Sequence, residues 1–396
     1  MTEIRLVQGD ELLTSALPLS AYAFYASPRP TDMEHWQRLV KDREAWRIHV
    51  AFDAGQPLAT ASVIPMTQNV RGALLPMGGV AHVATHPTAR RKGYARTLLL
   101  RVLEDMYEQG QVVSALYPFR PSFYQRFGYA GLPKPAQARF NPRQLARWIR
   151  QPDQAFDDVT LSSLADGFKD FWTLLTVLQR DQHGMALRDP AATGSLLERE
   201  RWLALAHRDG TVVGALPYEI THFGGQLVAD GLFSIDLRAR ESLLRWLAHH
   251  TDQVTEVALQ VPADARPELW HIDLDVTVER VISTPLQNAP MVRVLRPEGL
   301  NGLVVGAGSV DVAIQDETLP AAGGRFRLSS QDGRLEVTRG GEGTVALTPS
   351  GFAALVYGVL DPEEVVHHGW GVFDAEAQQA LRTLFPPATP HLFESF

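Results

Sequence analysis

One stretch constrains this chain more than any other: Val83-Ala84-Thr85-His86-Pro87-Thr88-Ala89-Arg90-Arg91-Lys92-Gly93-Tyr94-Ala95-Arg96. An apolar strand stops at a proline, and a basic turn with one glycine follows. A helix is then predicted over residues 89–109, with Leu98, Leu99, Val102 and Met106 at helical spacing. That order of parts makes an anion site. The helix start offers unpaired N–H groups and the positive end of its dipole, the glycine lets backbone approach the ligand, and Arg90, Arg91 and Arg96 neutralise its charge. A diphosphate suits such a site. The spacing is neither G-x-G-x-x-G nor G-x-x-x-x-G-K-[ST], which removes support for dinucleotide and nucleoside-triphosphate readings.

The elements around the turn predict a mixed α/β layer. A strand at 3–7, helices at 9–24 and 31–40 and a three-strand meander at 47–52, 58–70 and 73–85 precede it. A strand at 112–117, a helical turn at 121–127 and a strand from Gly128 follow the long helix. Strands that come in runs before the long helix exclude a regular βαβ repeat. Asn141-Pro142 and Gln151-Pro152-Asp153 mark a boundary. The middle segment repeats the style, with a helix at 168–182, a hairpin turning at Asp209-Gly210, strands ending at Phe233, a helix at 238–250 and a strand at 254–261, but it has no basic glycine turn. From Pro290 onward, strands near 310–314, 325–328, 335–338 and 343–347 and helices from Pro349 and Ala375 predict a smaller α+β unit ending in an apolar tail, 391–396. The expected division is 1–150, 151–288 and 289–396, which suits a chain of 396 residues.

Composition narrows the chemistry. A net charge of −8 with no basic run of five residues argues against nucleic acid, and an overall acidic field favours cationic substrates. With no cysteine, thiolate nucleophiles, disulfides, Cys-ligated zinc and Fe–S clusters are out. His249-His250 and His367-His368 are adjacent pairs that point apart on a helix, so no metal is expected, and no G-x-S-x-G supports a serine hydrolase. The N-terminus lacks a cationic start with an apolar stretch behind it, and no run approaches the ~18 apolar residues of a membrane span. A soluble, cytoplasmic protein without membrane partners is the expectation.

The loop Arg90-Arg91-Lys92-Gly93-Tyr94-Ala95 resembles the [Q/R]-x-x-G-x-[G/A] signature of the GNAT acetyltransferases. The resemblance implies acetyl-CoA as co-substrate. Backbone N–H groups of Arg91, Lys92, Gly93, Tyr94, Ala95 and Arg96, with Arg90 beside them, would hold the pyrophosphate, and Val83, Ala84 and Thr85 would pair with the pantetheine arm. Phe123-Tyr124-Gln125-Arg126-Phe127-Gly128-Tyr129 fits a further GNAT segment, which makes Tyr124 the candidate general acid. A phenol of ordinary pKa, about 10, stays protonated at neutral pH and can protonate a departing thiolate. Packing of the ring against pantetheine is the alternative use of Tyr124. Phe119 and Arg120, just ahead, are assigned to the CoA side.

Over its full length the chain resembles the Eis family of GNAT amine acetyltransferases. That resemblance implies tandem GNAT-like domains with mixed central sheets, a sterol-carrier-like α+β domain and a hexameric assembly. It also implies a chain-terminal carboxylate, here that of Phe396, acting as general base. An α-carboxyl has a pKa of roughly 3.3–3.7, which burial in the tail Leu392-Phe393-Glu394-Ser395-Phe396 would raise; a frayed, functionless end is the ordinary alternative. Phe24, Trp36 and Glu394 are candidates for the acceptor pocket, with Ala26 where the family suggests an aspartate, and Phe24 and Trp36 fit plain helix-core positions equally well. The expected activity is transfer of acetyl from acetyl-CoA to a primary amine of a small cationic molecule of aminoglycoside or polyamine type. A lipid or sterol binder and a CoA-binding regulator without turnover are the competing functions.

Overall fold

The computed structural model describes residues 3–24, 33–150, 156–189, 193, 200–272, 274–284 and 287–394. They form two compact units, one of Met1–Pro133, His183–Thr193 and Ser283–Phe396, the other of Lys134–Gln182 and Gly194–Ile282. This division differs from the expected boundaries at 150 and 288, because strands from distant parts of the sequence complete each sheet.

The first unit holds the strands β1 (Glu3–Val7), β2 (Arg47–Asp53), β3 (Gln56–Val70), β4 (Ala73–Thr85), β5 (Val113–Leu116) and β6 (Ala130–Gly131). Its first helices are α1 (Glu11–Thr14), α2 (Ala16–Phe24), α3 (Met33–Asp42), α4 (Tyr94–Glu108) and α5 (Pro121–Gln125). The strands β1 to β4 pair antiparallel in chain order. The turns Ala54-Gly55 and Arg71-Gly72 carry φ of 49° and 78°, and 46° and 78°, the left-handed pair that matches strand twist in a two-residue hairpin. β4 and β5 run parallel, which requires a crossover, and α4 supplies it. Leu98, Leu99, Val102, Leu103 and Met106 of α4 are buried against the sheet.

The same sheet is finished by remote segments. Met291–Val294 inserts between β5 and β6, antiparallel to both, and Ala186–Arg188 pairs with β3. A five-stranded sheet of Ser309–Ile314, Gly324–Gln331, Arg334–Arg339, Val345–Leu347 and Gly371–Val372 carries the C-terminal part of this unit. Its helix Pro349–Tyr357 is capped by Thr348, whose hydroxyl accepts from the Gly351 N–H at 3.2 Å. Phe352, Leu355, Val356 and Tyr357 bury in one core with Leu12, Leu17, Trp36 and Val70.

The second unit builds its own eight-stranded sheet. Gln226–Ala229 lies parallel to Glu256–Val261 with the helix Leu237–Ala248 between them in sequence, the same strand–helix–strand order as β4, α4 and β5. The expected hairpin at Asp209-Gly210 is present. The helix expected at 168–182 occupies Leu164–Gln179, set by the Ser163 cap on the Asp166 N–H. Tandem GNAT-like sheets and a C-terminal α+β part therefore make up the fold. Among the described residues no helix is long and apolar enough to cross a membrane.

Candidate active site

The site forms where two parallel strands part. Pairing of β4 with β5 stops at Val80 and Leu116. On the other edge of β4 the register passes from Ser62 opposite Ala81 to Thr60 opposite Ala84, so His82 and Val83 face a single residue, Ala61. This is a β-bulge, and His82 takes the left-handed φ of 52° that it requires. The bend carries residues 81–85 beyond the reach of β5 and leaves their β5-side edge without a strand among the described residues. Val83 and Thr85 are half-buried there, while Ala84 is 4% exposed.

Above that edge lies the basic turn. Pro87–Ala89 form a single 3-10 turn capped by His86. The chain then extends at Arg90 and turns left-handed at Arg91 (φ 63°) and Gly93 (φ 89°). Those two left-handed residues are why α4 starts at Tyr94 and not at Ala89 as expected. The first helical bond runs from the Thr97 N–H to the Gly93 carbonyl at 3.0 Å, and no side chain caps the helix. The N–H groups of Tyr94, Ala95 and Arg96 thus have no backbone acceptor among the described residues, and Arg90, Arg91, Lys92 and Arg96 are exposed around them. The Tyr94 hydroxyl donates to Asp53 at 3.2 Å, which ties the first turn of α4 to the β2–β3 hairpin. Exposed N–H groups at a helix start among cationic side chains are the arrangement that attracts an anion. The second unit's equivalent helix differs: Asp236 caps it, accepting from the Ala239 N–H at 2.9 Å, and is itself bonded by Arg208. There the helix end already holds a carboxylate.

Tyr124 sits on α5 just past the end of β5 and is 3% exposed. Phe119, Phe123 and Tyr129 surround its ring at centroid distances of 5.6, 5.1 and 6.3 Å. Burial, with a smaller contribution from Tyr129, pushes its phenol pKa up, so it carries a proton across the working pH range. Phe119 is half exposed, and Arg120, exposed, precedes the first turn of α5. The segment is fixed from below. The Tyr129 hydroxyl bonds Ser114 Oγ at 2.8 Å, and Ser114 Oγ donates to the Gly78 carbonyl at 2.8 Å. Arg293, fully buried, pairs with Asp316 and donates to the Phe127 carbonyl. A Cβ on Gly128 (φ 79°) would lie 2.6 Å from Pro349 Cβ and 2.9 Å from Arg293 Nη1, so only glycine fits that turn.

On the side of α2 and α3, Phe24 is 56% exposed and stands edge-on to His82 at 5.9 Å. Trp46 packs on the imidazole at 5.4 Å with its plane tilted by 43°, and Arg43 donates to the imidazole Nε2 at 3.1 Å. Burial, then Arg43 and Arg188, push the His82 pKa down to about 3, so the ring is neutral. Trp36, the other aromatic candidate for the acceptor pocket, is a core residue at 2% exposure. Its place on the apolar stripe of α3 turns it inward. The Glu394 carboxylate is bound by Arg188, through the guanidinium and through the backbone N–H at 3.0 Å. Ala26 and Phe396 lie outside the described residues. Residues 392–394 are nonetheless placed: the Tyr117 hydroxyl, next after β5, shares its one proton between the carbonyls of Leu392 and Glu394 at 3.3 and 3.4 Å. Tyr117 and Arg188 escaped sequence reasoning, and His82 stands in it only as a residue that flanks the loop. Tyr117 stood inside the segment already singled out, whereas a bulge and a contact spanning 206 residues leave no local signal.

Residues 3–131 match the model of the acetyltransferase (GNAT) domain. The N-terminal region is a GNAT acetyltransferase domain. Residues 301–393 match the sterol carrier protein domain. An uncharacterised N-acetyltransferase from Streptomyces coelicolor is 26% identical over 286 residues, 65% of this chain and 65% of that protein, so the match spans just under two thirds of the curated relative. Among solved structures, a GCN5-related N-acetyltransferase from Anabaena variabilis is similar with a TM-score of 0.85 at 20% identity, and Eis1 from Mycobacterium abscessus with 0.75 at 19%. Both alignments cover all of each chain. At these identities the likeness is one of fold.

Proposed function

We propose that this chain is an acetyl-CoA-dependent N-acetyltransferase of the Eis type that acetylates primary amines of small cationic molecules, aminoglycosides or polyamines among them. The observation that carries the reading is the parted β4–β5 edge lying directly under an uncapped, basic helix N-terminus, with a buried protonated tyrosine alongside. Arg90, Arg91, Arg96 and the N–H groups from Arg91 to Arg96 would hold the pyrophosphate, and Val83 to Thr85 would hydrogen-bond the pantetheine amides as an added strand.

Chemistry then needs a base and an acid. The amine attacks the thioester carbonyl, a C–N bond forms and the C–S bond breaks; the ammonium proton leaves toward the Phe396 carboxylate and Tyr124 protonates the thiolate. The docking of Leu392 and Glu394 on Tyr117 supports a tail that reaches this centre. The division of labour proposed along the chain is a catalytic domain at 1–150, a CoA-free domain at 151–288 and a sterol-carrier-like domain at 289–396. The working form is proposed to be a cytoplasmic homohexamer, which light scattering on the purified protein checks.

Thiol release from acetyl-CoA with a panel of polyamines and aminoglycosides is the direct test. Tyr124→Phe is expected to lower kcat about 10²- to 10⁴-fold with the KM for acetyl-CoA within about twofold. No turnover with any amine, together with a lipid carried through purification, would point to a binding protein instead.

A further inference from the structure

The chain makes an excursion that the catalytic reading leaves unexplained. His183–Thr193, flanked on both sides by second-unit sequence, belongs to the first unit and lays Ala186–Arg188 against β3. Besides β3, the segment meets the helix end at Tyr357, whose carbonyl His183 bonds at 3.0 Å, and the C-terminal tail. The His183 carbonyl accepts from the His391 N–H at 2.8 Å. Gly184 (φ 87°) passes so close that a Cβ there would lie 2.5 Å from His391 N and 2.7 Å from Pro390 Cβ. Arg188 binds Glu394 twice, and the side chains of that ion pair are each 4% exposed. Tyr117 adds hydrogen bonds to the carbonyls of Leu392 and Glu394.

We infer that Arg188 and Tyr117 are positioning residues for catalysis: they latch the tail at the point where β4 and β5 part, and so set where its last residues stand relative to the acetyl group. This rests on the proposal above that the tail supplies the base. The chemistry favours a latch over a general stabilising pair. A buried carboxylate that loses its guanidinium must find water, and Glu394 follows the helix Ala375–Leu384 outside any strand, so that undocking this segment hydrates it without breaking a sheet ladder. Loss of Arg188 should therefore displace the tail and spare the fold. A displacement of about an ångström at a reacting group costs as much as about a hundredfold in rate.

Arg188→Gln is expected to reduce kcat about tenfold to a hundredfold with the KM for acetyl-CoA within about twofold. Arg188→Gln with Glu394→Gln, an uncharged pair of nearly the same shape, is expected to recover most of the rate. In a protein lacking Phe396, Arg188→Gln should change kcat by less than about twofold, because there is no base left to misplace. Carboxypeptidase digestion followed by intact mass should trim the tail faster in Arg188→Gln than in the parent, independently of turnover. Equal trimming, or a kcat loss that persists undiminished without Phe396, overturns the latch. Unchanged turnover on deleting Phe396 instead refutes the base itself, and faster trimming in the same preparation would keep the mechanical part of the latch standing. Tyr117→Phe provides a second handle if Arg188→Gln folds poorly, with the same direction expected in both assays.

Discussion

Gly93→Ala isolates what the left-handed start of α4 contributes. Nothing lies within 4 Å of a Cβ built on Gly93, so the substitution meets no steric obstacle and its cost is purely that of the backbone, held at φ 89°. A non-glycine residue pays roughly 1–2 kcal/mol to stay left-handed, and more at the edge of the region. The loop can accept that strain or relax toward right-handed geometry, which turns the N–H groups of Tyr94 to Arg96 away from the pyrophosphate. Either route ends in the same place: about 1–2 kcal/mol lost from acetyl-CoA binding, or roughly 5- to 30-fold in its Kd. Titration calorimetry with CoA, together with kcat at saturating acetyl-CoA, reads the two effects separately. Gly210→Ala is the matched control, since Gly210 has φ 76° and equally open surroundings in the second unit. It should cost similar stability and leave CoA affinity untouched. An unchanged Kd in Gly93→Ala, or an equal loss in both variants, would refute the assignment of the pyrophosphate to this turn.

Two other outcomes follow from the electrostatics. His49, His82 and His183 have pKa values pushed down to about 4, about 3 and about 4, in each case chiefly by burial. Their folded values lie below the unfolded one near 6.5, so between those limits the unfolded chain binds more protons. Their stabilising contribution is complete above pH 6.5 and is lost as pH falls toward 4, at up to about 1.4 kcal/mol per pH unit for each ring. Urea midpoints measured at pH 7.5 and 5.5 should show the drop, and equal midpoints would contradict the burial argument. In the second unit, Asp236→Ala removes a helix cap and an ion-pair partner of Arg208 and should cost about 1–2 kcal/mol of stability. Acetyl-CoA KM should not move, and a shift there would mean that this helix end takes part in cofactor binding.

Sequence reasoning reached the parts of this site that chemistry writes locally. A strand ending in proline, a basic turn and a helix with apolar spacing are short-range facts, and the strands β1 to β5 lie within two residues of their expected positions, while the single helix expected at 9–24 is two, α1 and α2. It failed where position depends on the rest of the fold. The left-handed pair Arg91 and Gly93 moved the helix start by five residues, and only the glycine of the two advertised itself. Trp36 fitted core and pocket alike until the packing of α3 chose between them. Glu394 read as a candidate for the acceptor pocket, and nothing near residue 394 points to the arginine at 188 that binds it. The domain boundaries followed breaks in composition, whereas the sheets exchange strands across those breaks.

The strand Met291–Val294 carries a consequence for how such a protein is made. During synthesis the ribosome releases β1 to β6, including every loop residue and Tyr124, long before residue 291 exists. Until then β5 presents a bare edge of four residues, three of them apolar and all destined for burial, and β6 has no strand partner among the described residues. The nascent region must wait, with that edge open to adhesive mispairing, while some 160 further residues are threaded out. A gene fragment stopping after residue 131 would therefore encode the whole matched acetyltransferase region and still yield an unfinished sheet.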